Sequence, residues 1–133
     1  MCVLDCDKFK QINDTYGHIV GDKVLIAIAS KMQEICRKDD VVLRLGGDEF
    51  AMFIPEIRTE KEAEDFFENL FGCINEIYIR ELKGHKLTVS LGAVFFCENS
   101  RETFDSLYRK ADQMLYESKK VHGFCARIYK EER

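Results

Sequence analysis

Arg44-Leu45-Gly46-Gly47-Asp48-Glu49-Phe50 is the stretch that decides how this chain folds: two glycines and then two acids, set inside an otherwise apolar run from Val41 to Ile54. The flanks, Val41-Val42-Leu43 and Phe50-Ala51-Met52-Phe53-Ile54, have the β-branched and aromatic content of strands. Gly46-Gly47 suits the centre of a tight hairpin turn, where positive φ is needed. Asp and Glu are poor strand formers, so acids placed directly after such a turn cost folding energy. A local rule broken at so defined a spot marks a functional site.

Working outward, Cys2-Val3-Leu4-Asp5-Cys6 reads as a short buried strand, and Asp7 to Asp14 as a polar segment of one or two helical turns. Tyr16-Gly17-His18 breaks that pattern. From Asp22 to Arg37 apolar residues fall at 24, 25, 28, 29, 32, 35 and 36, the spacing of an amphipathic helix, with Asp22 near its start and Arg37-Lys38 near its end to suit the macrodipole. The hairpin follows, closed by Pro55. Thr59 with Glu62 predicts a capped second helix running to Ile77, and Gly84 ends that region. Lys86 to Phe96 alternates as a long strand, Thr103 to Val121 has the period of a third helix, and Phe124 to Tyr129 reads as a last strand. Strands alternating with helices, plus one tight hairpin, predict an α/β layer on a mixed sheet.

The 133 residues make one domain, residues 1–133, large enough to bury roughly two thirds of its unfolded surface. An apolar content of 46%, a charged content of 33% and a net charge of −4 describe a soluble globular chain and argue against a general binder of nucleic acid or membrane surfaces. The longest apolar run, Val24 to Ala29, is far short of the ~20 residues that span a bilayer, and Asp5, Asp7 and Lys8 rule out a signal-peptide core, so the chain is placed in the cytoplasm. Cysteines at 2, 6, 36, 73, 97 and 125 form no Cys-x-x-Cys pair and read as reduced, small apolar residues.

The chemistry begins with Asp5 at the end of the first strand and Asp48 beside the hairpin turn. If those strands are neighbours, two carboxylates share a small volume. At ~4 Å and an effective dielectric of 20 they repel by about 4 kcal/mol, which favours a raised pKa or a bound cation. Oxygen ligands without His or Cys suit Mg²⁺, which takes one or two carboxylates and completes its shell with water and phosphate, and so point to a nucleoside triphosphate. Lys8, Phe9 and Lys10 would offer backbone N–H groups at a helix start, with Lys10 as a point charge for phosphate. Asn13 and Asp22 could read a guanine edge. An exposed acidic turn beside a solvated loop is the plainer alternative on the residues alone.

Four blocks of sequence carry a resemblance. Asp5-x-Asp7-x-Phe9-Lys10-x-Ile12-Asn13-Asp14-Thr15-Tyr16-Gly17-His18-x-x-Gly21-Asp22 comes first, then Arg44-x-Gly46-Gly47-Asp48-Glu49-Phe50, Thr88-x-Ser90-x-Gly92, and Ala111-Asp112-x-x-Leu115-Tyr116-x-x-Lys119. In this order and spacing they resemble the GGDEF family of diguanylate cyclases, bacterial signalling enzymes. The resemblance implies a nucleotidyl-cyclase-like fold, a central five-stranded mixed sheet with flanking helices and a β-hairpin carrying the signature. It also implies one GTP per subunit and a homodimer in which each 3′-hydroxyl attacks the other nucleotide's α-phosphate, giving cyclic di-GMP and two pyrophosphates. By the same resemblance Asp5, the carbonyl of Cys6, Asp48 and Glu49 would hold Mg²⁺ or Mn²⁺, and Asp48 would assist deprotonation of the 3′-hydroxyl. Asn13, His18 and Asp22 would bind guanosine, and Lys10 and Lys119 the phosphates. Arg37-Lys38-Asp39-Asp40 would supply, through Arg37 and Asp40, an Arg-x-x-Asp site for inhibition by the product.

The chain departs from the family in two places. The usual leading helix and its Asp-x-Leu-Thr-Gly-Leu-x-Asn-Arg stretch are missing, so the domain is expected to be truncated at its amino end, with apolar sheet surface left uncovered and any upstream sensor absent. After Lys119 the family's x-x-Gly-Arg-Asn is replaced by Lys120-Val121-His122-Gly123-Phe124, which loses an Arg phosphate contact. Position 8, often apolar in the family, is Lys. These departures define the alternative: a catalytically weak or inactive domain that binds cyclic di-GMP or GTP and signals to a partner. A cyclase with relaxed base choice is disfavoured by Asp22.

Overall fold

The apolar run at the amino end forms strand β1 (Cys2–Cys6), and it lies at the middle of the sheet rather than at an edge. A computed structural model of the protein describes residues 1–131. After β1 come α1 (Phe9–Tyr16), α2 (His18–Ile35), β2 (Val41–Gly46), β3 (Glu49–Phe53), α3 (Glu60–Asn75), a 3-10 turn (Arg80–Leu82), β4 (Val89–Ala93), α4 (Phe104–Ser118) and β5 (Cys125–Ile128). The five strands are ordered β2-β3-β1-β4-β5. All neighbours are antiparallel except β4 and β5, which are parallel. This is the expected five-stranded mixed sheet.

Alternation along β1 explains the layers. Cys2, Leu4 and Cys6 face a large core built with Val24, Ile28 and Met32 of α2 and Phe67, Leu70 and Ile74 of α3. Val3 faces a smaller core with Ala51, Val94 and three α4 residues, Leu107, Ala111 and Leu115. Leu4, Ile28, Met32, Leu70 and Leu91 are fully enclosed. Each contributes about 1.5–3 kcal/mol of transfer free energy, which makes the α2–sheet–α3 side the main source of stability.

Several expected boundaries shift, for identifiable reasons. The hairpin turn is Gly47-Asp48, because Gly46 pairs with Glu49, so Asp48 lies in the turn and not after it. The positive φ values of 144° at Gly46 and 51° at Gly47 are the ones the sequence anticipates. Helix α2 starts at His18, four residues before Asp22 and directly after Gly17, whose φ of 91° both ends α1 and starts α2. The two glycines flanking this turn weaken local helix propensity, but Gly21 is held by contact with Asn13 of α1. The long strand expected over 86–96 is only Val89–Ala93. Its partner β1 has five residues, and every one of them pairs. Thr59 caps α3 as predicted, accepting from the Glu62 N–H at 3.1 Å, and Thr103 caps α4 in the same way through the Ser106 N–H. Among the described residues no helix is long and apolar enough to cross a membrane.

Candidate functional site

Asp5 and Glu49 are direct cross-strand partners on β1 and β3, so their side chains leave the same face of the sheet, and that face is the one covered by α4. Asp48 projects from the adjoining turn. Arg44 fixes that turn, donating from Nε and Nη2 to the Gly47 carbonyl at 3.0 and 2.6 Å. From the far side Lys119, just past the last residue of α4, brings Nζ to 2.5 Å from Asp5 Oδ1. The approach is a charge contact outside hydrogen-bond angles, and Oδ1 remains buried with no hydrogen-bond partner. Burial raises the Asp5 carboxyl to about 6; Lys119 opposes the rise, while the charges of Asp48 and Asp7 add to it. For Lys119, desolvation pulls the ammonium down, but the carboxylates of Asp5, Asp7 and Asp48 outweigh it and leave it raised. The structure therefore gathers Asp5, Asp7, Asp48 and Lys119 at one end of the central strand.

Asp7 has a role that the sequence reading missed. Its two carboxylate oxygens accept from Thr88 Oγ1 and Ser90 Oγ, both at 2.6 Å, and its N–H donates to the Thr88 carbonyl at 2.9 Å. The Thr88-x-Ser90 spacing places both hydroxyls on one side of the chain, and that period of two was the available signal. Gly92 of the same block lets α4 sit directly on β4: a Cβ there would lie 2.1 Å from the Ala111 carbonyl oxygen and 2.3 Å from the Leu115 nitrogen. Ser118 Oγ, fully buried, donates to the Leu91 carbonyl at 2.7 Å and fixes the end of α4 from which Lys119 reaches Asp5.

A buried carboxylate oxygen met only by the Lys119 ammonium, beside two more carboxylates, fits a hard divalent cation. Among the described residues no three His, Cys, Asp or Glu side chains are gathered into a ready cage; Glu49 Oε1 accepts from Tyr108 Oη of α4 at 2.7 Å. An ion here would rest on few carboxylates and complete its shell with carbonyl, water and phosphate oxygens. The Cys6 thiol takes no part. It points into the large core, where burial pushes it up to about 12.

The remaining predicted residues lie on α1, on α2 and just beyond α2. Lys8 takes a left-handed conformation (φ 57°) as N-cap of α1 and makes no side-chain cap, so the first N–H groups of that helix have no side-chain acceptor from it. Lys10 is exposed in the first turn of that helix. Asn13 fits against Gly21, and its Oδ1 is buried without a partner. His18 and Asp22 are exposed in the first two turns of α2. Arg37 and Asp40 lie past the other end of α2, about 27 Å along the helix axis. There Asp40 Oδ2 accepts from the Arg37 backbone N–H at 2.8 Å, Asp40 Oδ1 is buried and unpartnered, and the Arg37 guanidinium donates to Glu56 at 2.8 Å. Only the Arg37 backbone meets Asp40, and neither residue is joined to the acid cluster.

A family described as "Diguanylate cyclase, GGDEF domain" matches residues 1–123. The chain is similar to diguanylate cyclase VdcA of Vibrio cholerae, 34% identical over 125 residues, covering 91% of this chain and 36% of that protein. It is 39% identical over 125 residues to the probable diguanylate cyclase DgcT of Escherichia coli, covering 90% of this chain and 26% of that protein. Among solved structures, the GGDEF domain of DgcB from Caulobacter crescentus, in complex with c-di-GMP, superposes with a TM-score of 0.83 at 29% identity, covering 96% of this chain and 75% of that one. The chain spans only about a quarter to a third of the curated relatives' length.

Proposed function

This chain belongs to the GGDEF family of diguanylate cyclase domains, and we propose from that premise that residues 1–133 form one such domain, which condenses two GTP into cyclic di-GMP in the cytoplasm. The observation that carries the reading is the buried carboxylate of Asp5, its Oδ1 met only by the Lys119 ammonium, set beside Asp7 and Asp48 at the end of β1. Asp5, the Cys6 carbonyl and Asp48, with Glu49 beside them, would hold Mg²⁺ or Mn²⁺. When bound, the ion neutralises triphosphate charge and acidifies the attacking hydroxyl.

The chain's own groups do the rest. Lys10, the uncapped start of α1 and Lys119 bind phosphate oxygens; Lys119 can do so by leaving Asp5 once other positive charge reaches that carboxylate. Asn13, His18 and Asp22 read guanosine. Asp48 accepts the 3′-hydroxyl proton. The 3′-oxygen forms a bond to the α-phosphorus of the second nucleotide as the bond from that phosphorus to the bridging oxygen breaks and pyrophosphate leaves. The same exchange in the opposite sense closes the ring. Each chain holds one GTP, so two copies face each other as a homodimer.

Cyclic di-GMP then inhibits through Arg37 and Asp40, Arg gripping phosphate or stacking on guanine and Asp40 Oδ1 accepting from the base. That unpartnered oxygen also favours a second reading, a domain that binds cyclic di-GMP and passes the signal on with little turnover. Incubation with GTP and Mg²⁺, followed by chromatography, separates the two. The cyclase reading predicts cyclic di-GMP from the wild type and none from Asp48→Ala. No product at high protein concentration, with cyclic di-GMP binding that Arg37→Ala abolishes, leaves the binding module in its place.

A further inference from the structure

We propose that Tyr108 is a positioning residue for Glu49, holding that carboxylate through its hydroxyl so that the remaining oxygen is presented toward the metal and triphosphate site. Tyr108 Oη donates to Glu49 Oε1 at 2.7 Å, and Glu49 is the direct strand partner of Asp5. The phenol stays a donor at neutral pH. The Glu49 hydrogen bond, burial and the Glu49 charge all raise it above the ordinary tyrosine value. Its ring is stacked on Phe104, centroids 6.1 Å apart and planes 15° from parallel, which limits its rotation.

The helix that carries Tyr108 is itself fixed, by the close approach at Gly92 and the Ser118 hydrogen bond to Leu91. Tyr108 and Lys119 lie about three turns apart along the line of α4, and so point the same way from it. One holds Glu49 and the other holds Asp5. They differ in kind. An ammonium must leave its carboxylate for a cation to bind there, whereas a neutral hydroxyl on one oxygen of Glu49 orients the acid and leaves the other oxygen available, as outer hydrogen-bond partners of metal ligands do.

The proposal rests on the metal site of the proposed function, so its test separates the two. Mn²⁺ is titrated calorimetrically into the wild-type chain and into Asp5→Asn, Tyr108→Phe, Glu49→Gln and the Tyr108→Phe/Glu49→Gln pair, with thermal melting as a control. Tyr108→Phe keeps the ring on Phe104 and removes only the donor. The expected result is Mn²⁺ binding that Asp5→Asn abolishes and that Tyr108→Phe weakens by about tenfold, the usual scale for losing such a partner. Tyr108→Phe then has no further effect once Glu49 is Gln. Binding lost in Asp5→Asn but unchanged in Tyr108→Phe, or weakened equally in the Glu49→Gln background, overturns the positioning role alone. An absence of Mn²⁺ binding by the wild type overturns the metal site and the positioning role together.

Discussion

Replacing Asp5 by Asn is expected to stabilise the metal-free domain at neutral pH while removing a group that the proposed chemistry needs. Burial raises the Asp5 carboxyl from 3.8 to about 6 in the folded chain. The folded state therefore holds this proton more tightly than the unfolded state does. Below the unfolded value both states are protonated and Asp5 contributes nothing to the pH dependence. As pH rises from about 4 to 6 the unfolded chain ionises first, and stability falls; above about 6 the loss is complete. About two pH units at 1.36 kcal/mol each give about 3 kcal/mol. Only 14% of the Asp5 side chain is exposed, so solvent screening takes little of this away. Asn is neutral throughout and escapes the loss, but it leaves Lys119 without its counter-charge and brings an amide that needs acceptors, which reduces the expected gain at pH 8 to about 1–3 kcal/mol. For a chain of this size that is about 3–10 °C in Tm. Thermal melting in a chelating buffer at pH 4, 6 and 8 measures the gap between the two proteins. It should be near zero at pH 4, open by pH 6 and narrow again when Mg²⁺ is added to the wild type. A variant less stable than wild type at pH 8, or a gap that is the same at pH 4 and pH 8, would refute the reasoning.

Three further outcomes follow from the geometry. Gly92→Ala drives a Cβ into backbone atoms of α4, so melting should show a loss of about 1–3 kcal/mol, and product formation should fall as Tyr108 and Lys119 shift off their acids. Gly21→Ala drives a Cβ to 1.8 Å from Asn13 Oδ1 and 3.3 Å from the Phe9 ring; melting should show a loss of about 1–3 kcal/mol, and GTP binding, measured by calorimetry against ATP, should weaken. Arg37→Ala breaks an exposed pair with Glu56, so melting should change by less than about 1 kcal/mol, whereas the cyclic di-GMP concentration needed for half-inhibition should rise by at least tenfold.

Elements whose signals are local were legible in the sequence. Thr59 and Thr103 cap their helices through hydroxyls that any reader of the chain can find, and Gly46-Gly47 supply the positive φ that the hairpin needs. The start of α2 and the length of β4 were not, because each is decided by a partner elsewhere in the chain. His18 to Gly21 are helical because Gly21 packs against Asn13 of α1, and β4 stops where β1 stops. The site shows the same division. Asp5 and Asp48 stand out as acids breaking strand patterns, but Asp7 owes its orientation to Thr88 and Ser90 some eighty residues on. Tyr108, which in the sequence is one position of a helical pattern, becomes a hydrogen-bond donor to Glu49 only when α4 is packed on the sheet. Lys119 was expected at a phosphate and is found on Asp5, the anion nearest to it in the unliganded protein.

Under the proposed function, Asp5 and Asp48 form the reaction centre of a cyclase acting through two facing copies. The most direct measurement is the initial rate of pyrophosphate release from GTP in Mg²⁺, over a range of protein concentrations, with cyclic di-GMP quantified in the same samples. The prediction is two pyrophosphates per cyclic di-GMP, a rate per chain that climbs with protein concentration, and loss of both products in Asp48→Ala. Pyrophosphate release that survives in Asp48→Ala, or that proceeds equally well from ATP, would contradict it.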